Sequence, residues 1–111
     1  MYKSYIHLNP VKLRRRNAFE WDESQRQANL AKHHIDFRDA KRVFDGPVFE
    51  RIDRRRGEDR VFAIGLMEDI EIVVVYVMRG KRRRIISARR AHRNERQEYT
   101  GRLRSAGEGQ N

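Results

Sequence analysis

Seven consecutive apolar residues, "IVVVYVM", run from Ile72 to Met78. A half-buried strand alternates apolar and polar side chains, whereas a continuous run of this length and β-branched character predicts a central strand covered on both faces. The run is far short of the roughly 20 residues needed to cross a bilayer, and the N-terminus lacks a signal-peptide core, so a soluble protein is expected. Further strands are predicted around it. "VFERI" alternates, "DRRRGED" is a polar turn, "RVFAIGL" is a second strand, and "KRRRIIS" follows a tight turn at Arg79-Gly80. Connections this short join antiparallel neighbours, which predicts a meander.

Helices flank this sheet region. "FEW", Phe19 to Trp21, reads as a short strand, and Asp22 with Gln25 three residues later is a capping-box pattern for a helix that ends near His34. Asp36 then offers a second N-cap before "FRDAKRVF", where Phe37, Ala40, Val43 and Phe44 recur at spacings of three and four. Gly46-Pro47 ends that helix. A last helix is expected from about Arg93 to about Arg104, with Glu95, Tyr99 and Leu103 on one face and fraying near Gly101. The predicted class is α+β, a small antiparallel sheet of four to five strands with two N-terminal helices and one C-terminal helix. Residues 1–17 are expected to form a flexible basic extension, 18–104 a single domain, and 105–111 a disordered tail.

One domain is what 111 residues allow, enough to bury roughly two thirds of the unfolded surface without metal or disulfides. The chain has no cysteine, which excludes a disulfide scaffold and thiolate chemistry and suits a reducing cytosol. Its net charge of +10 is unevenly placed. Residues 1–16 hold five bases and no acids, residues 81–104 hold ten bases against two acids, and the middle is slightly acidic. Concentrated cationic charge points to a polyanion: nucleic acid, an acidic protein or an anionic lipid surface.

Chemistry must come from few residue types. His33 and His34 are adjacent rather than four apart, and no Cys pair or His-Glu-x-x-His motif exists, so no metal is expected. Gly57, Gly65 and Gly80 read as single turn glycines rather than a phosphate loop, and no cofactor is expected. Ser87 lies outside any nucleophile elbow and reads as a strand-end or capping residue. There remain cations with a few polar partners: Lys32 and His33 at the end of the first helix, Arg60, Tyr76, and Arg84, Arg89 and Arg90 around "IISA". Metal-free RNA cleavage needs a base for the 2′-hydroxyl, cations for the phosphorane and an acid for the leaving oxygen, and a guanidinium fork suits the phosphorane. Each residue also has a structural counterpart. Arg54, Arg55 and Arg56 fit a solvated turn, Tyr76 fits a core, and His33 fits a cap on a helix's negative end.

From Phe19 to about Tyr99 the chain resembles the BrnT family of bacterial type II toxins, whose compact fold is similar to that of RelE ribonuclease toxins. The segments carrying the resemblance are "FEWDESQRQANLAKHHIDFRDAKRVFDGP", "EDRVFAIGL", "VVVYVMRGKRRRIISARRA" and "NERQEY". The resemblance implies a cytoplasmic ribonuclease that inhibits translation and is neutralised by a BrnA-like ribbon-helix-helix antitoxin. Operator DNA would be met only through the antitoxin complex. It carries over Lys32, His33, Arg60, Tyr76, Arg89 and Arg90 as catalytic positions; Arg82, Arg83, Arg84 and Arg93 are expected as RNA contacts from their charge alone, Arg82 and Arg83 as steering or solvent-facing cations. The chain departs from the family pattern at His34, where a glycine is usual, and at His92, where a threonine usually caps the last helix. A non-enzymatic RNA-binding module, or one that only receives an antitoxin, uses the same cations and stays open at this level.

Overall fold

The structure is a computed structural model that describes residues 3–4, 18–55 and 57–108. Strands β1 (Lys3–Ser4) and β2 (Ala18–Glu20) come first, followed by helices α1 (Glu23–His33) and α2 (Phe37–Ala40) and a 3-10 turn at Lys41–Asp45. Strands β3 (Phe49–Arg55), β4 (Glu58–Met67), β5 (Ile70–Arg79) and β6 (Arg82–Arg90) form the expected meander, and helix α3 (Arg93–Glu108) closes the described chain. The sheet order is β1-β3-β4-β5-β6-β2.

The expected α+β class and antiparallel meander are present, and one edge strand makes the sheet mixed. Strand β2 runs parallel to β6, pairing Ala18 with Arg82 and Glu20 with Arg84. Packing explains the placement: the Phe19 ring lies 5.5 Å from that of Phe44, which anchors β2 over the core before α1 begins. The expected second helix is also shorter than its periodicity suggested, passing from α2 into the 3-10 turn after Ala40. Helix α3 continues four residues past Arg104, through Ser105–Glu108, without a break at Gly101. Of the N-terminal extension, Lys3–Ser4 pairs with Ile52 and Arg51 of β3; the other positions of 1–17, and 109–111, lie outside the described residues.

Strand β5 is buried on both sides as expected, with Ile72, Val73 and Val74 all at 0 % exposure. Ile72, Val74 and Tyr76 join Phe37, Val43 and Phe44 in a core beneath α1 and α2. Val73 and Val75 join Phe49, Ile64 and Tyr99 in a second core beneath α3. Gly65 is mid-strand rather than in a turn. A Cβ there would approach Val43 Cβ and Val48 Cγ1 to 2.9 Å, so the 3-10 turn can sit directly on β4 only over a glycine.

Local signals set the helix ends. Asp22 accepts hydrogen bonds from the Ser24 and Gln25 backbone N–H groups, and Asp36 accepts from that of Arg38. His34 caps α1 in the left-handed region at φ 61°, the geometry for which glycine is preferred. Asn29 fastens α1 to the sheet: its amide donates to Ala88 O and accepts from Ala88 N, so the side chain continues the β6 edge where β2 has ended.

Candidate active-site groove

Helix α3 covers only one end of its sheet face. It lays Glu95, Tyr99 and Leu103 over that end, where the Tyr99 hydroxyl donates to Pro47 O at 2.9 Å. Beyond it the face stays open as a groove of about 790 Å³. Phe62, Val75, Val77 and Ile86 form an apolar floor, Arg60, Arg79, Arg84 and Arg89 stand around it, and Asp22, Ser24 and Gln25 at the start of α1 make one wall.

Strand register decides which arginines meet here. In a regular strand, positions 84 and 89 are five apart and face opposite ways. Strand β6 breaks that parity, because Val75 pairs with Ser87 and the next residue, Tyr76, pairs with Ile85. Ile86 is thus the extra residue of a β-bulge, and the bulge turns Arg84, Ser87 and Arg89 toward the same groove. Arg83 turns the other way.

Each of three groove arginines has a carboxylate partner. Arg60 Nε donates to Glu58 Oε2 at 3.3 Å, and Arg84 Nη1 donates to Glu20 Oε2 at 3.0 Å. Arg89 makes the tighter pair, from Nη1 to Glu95 Oε1 at 2.8 Å and from Nη2 to Glu95 Oε2 at 2.9 Å. Burial opposes ionisation of Glu95, but the hydrogen bonds from Arg89 and the His92 N–H overcome it and lower its carboxyl to about 2. His33, at the end of α1, is half-buried. Burial lowers its imidazole below the usual range, and the charges of Lys32 and Arg89 push it the same way, so the ring is neutral near pH 7.

The remaining expected site residues lie elsewhere. Tyr76 is 4 % exposed on the opposite face, where its hydroxyl donates to Glu50 Oε2 at 2.6 Å; burial first, and then Glu50, push the phenol up. Its parity takes it to the α1 and α2 side, since it pairs with Val61 while Arg60 faces the groove. Arg83, expected as an RNA contact, lies on that same face, its guanidinium 4.4 Å from the centre of the Phe44 ring and 5.3 Å from that of Tyr76. Arg90 pairs with Ile72 and is exposed at the end of β6. Arg82 is exposed at the β5–β6 turn, Lys32 is exposed in the last turn of α1, and Arg93 belongs to a separate patch on α3 with Arg96 and Arg104. Among the described residues, no three His, Asp or Glu side chains are grouped so as to hold a metal ion.

Three groove residues stood outside the expected site: Arg79 read as part of a tight turn, Phe62 as part of a strand, and Ser87 as a strand-end or capping residue. Glu95 read only as one face of the last helix, and its grip on Arg89 was not legible.

A family model described as "Ribonuclease toxin, BrnT, of type II toxin-antitoxin system" matches residues 21–95, most of the chain and all of strands β3 to β6. The chain belongs to the BrnT family. A comparison with curated proteins returned no match. As a BrnT-family member it is a toxin of a type II toxin–antitoxin system, in a family described as ribonucleases, and such a system implies an antitoxin partner. No helix among the described residues is long and apolar enough to cross a membrane.

Proposed function

We propose that the groove binds the sugar-phosphate backbone of RNA and that the protein cleaves it there, without need of a metal, as an endoribonuclease that inhibits translation. The observation that carries this is the convergence of Arg60, Arg84 and Arg89 on one uncovered sheet face with an apolar floor, in a chain of a ribonuclease-toxin family. Guanidinium groups supply the charge that a crowded phosphorane requires, and Phe62 offers a ring against which a base can stack. The pairs Arg60–Glu58 and Arg84–Glu20 are solvent-accessible, so phosphate oxygens can replace the carboxylates at little cost.

In the proposed step the 2′-oxygen attacks phosphorus, a 2′,3′-cyclic phosphate forms and the bond to the 5′-oxygen breaks. His33, outside the groove lining but close enough to Arg89 to feel its charge, takes the 2′-hydroxyl proton, and solvent returns a proton to the 5′-oxygen. Tyr76 and Arg83 are left out of the step because they lie on the other face. A BrnA-like ribbon-helix-helix antitoxin would neutralise the toxin by covering the groove, where acidic side chains can replace phosphate.

Incubating the purified protein with RNA in the presence of chelator tests this. Cleavage is expected, with each of Arg60→Ala, Arg84→Ala and Arg89→Ala slowing it about 10²-fold while circular dichroism stays native. A folded wild type that binds RNA and leaves it intact would support the binding-module alternative instead.

A further inference from the structure

Among the groove arginines, Arg89 is held differently. An arginine has five N–H donors. Three of those of Arg89 are used inside the protein: Nη1 donates to Glu95 Oε1 and to Arg90 O at 3.2 Å, and Nη2 donates to Glu95 Oε2. The two left over, on Nε and the outer side of Nη2, form the second fork of the guanidinium, the edge suited to two oxygens of one phosphate. Glu95 is itself fixed. It is 3 % exposed, accepts the His92 N–H at 2.7 Å, and takes a third guanidinium contact from Arg51 Nη2 at 3.1 Å, whose cation stacks over Phe62 at 5.4 Å.

We infer that Glu95 is a positioning residue: it grips the Nη edge of Arg89, with Arg51 as counter-charge, so that the Nε edge is presented to a phosphate in the groove. The inference rests on the groove being the RNA site. Glu95 touches no substrate. It removes the rotamer freedom that an exposed arginine would lose on binding, and its charge keeps two neighbouring guanidinium groups from repelling each other.

The test is a double-mutant cycle on a short RNA, measured at a temperature where all proteins are folded. Arg89→Ala and Glu95→Gln should each lower kcat/KM about 10²-fold, and the double variant should be no slower than Arg89→Ala alone. A Glu95→Gln variant that melts earlier yet cleaves at the wild-type rate overturns the inference and leaves the groove standing; so does a double variant whose losses multiply. A wild type that cleaves nothing removes both. Should Glu95→Gln fail to fold, NMR of the wild type decides. Adding an oligonucleotide made uncleavable by a 2′-deoxy substitution should move the Arg89 Nε–H resonance, identified by its loss in Arg89→Lys. An unmoved resonance with the oligonucleotide bound overturns the inference.

Discussion

A single residue's face on the sheet decides which cations line the groove in this molecule. Arg83 and Arg84 are adjacent, yet one is stacked among Phe19, Phe44 and Tyr76 and the other stands in the groove. Tyr76 illustrates the same division. Its hydroxyl donates to Glu50 on the face opposite the groove, so Tyr76→Phe should lower stability by about 1–2 kcal/mol in a urea titration and leave cleavage by the folded protein unchanged. A loss of cleavage without a loss of stability would place Tyr76 in the reaction after all. The sequence revealed that Arg89 differs from a charged run, because it follows an apolar strand. It did not reveal Glu95 as its partner, since the six-residue separation spans the end of β6 and the start of α3.

At the scale of elements, capping and periodicity made the helices legible, and turn glycines marked the hairpins. The end of α1 near His34 was legible from the second N-cap at Asp36, whereas its left-handed geometry was pointed to only by the glycine usual in the family there. The parallel β2 and the β6 bulge carried no local signal, because both depend on what lies across the sheet. Asn29 looked like one polar residue on a helix, whereas it supplies the hydrogen bonds that β2 does not extend far enough to make. Asn29→Ala should cost about 2–3 kcal/mol in chemical denaturation, by leaving the Ala88 N–H and C=O and Ile35 O without their partner. A change below about 0.5 kcal/mol would show that water replaces it without penalty.

For the whole molecule, the pairing of charges sets acid stability. Two buried carboxylates, Asp36 and Glu95, are each lowered to about 2; in Asp36 the hydrogen bond from Arg38 leads, and in Glu95 Arg89 and the His92 N–H overcome the effect of burial. Because their folded pKa values lie below the ordinary ones of 3.8 and 4.5, the stability they contribute is present above that range and lost as pH falls toward 2. Thermal midpoints measured against pH should therefore fall below about pH 4.5, and less steeply in Glu95→Gln. Parallel profiles for the two proteins would show that Glu95 is not linked to folding. By itself the sequence determined the α+β class, the doubly covered central strand, the helix ends and the excess of cations, because periodicity, capping and composition are local properties. Which of those cations face one another was decided only by the tertiary structure. A strand's two faces differ by one residue of register, and the bulge at Ile86 and the reach of α3 over one end of the sheet set that register and left the groove open.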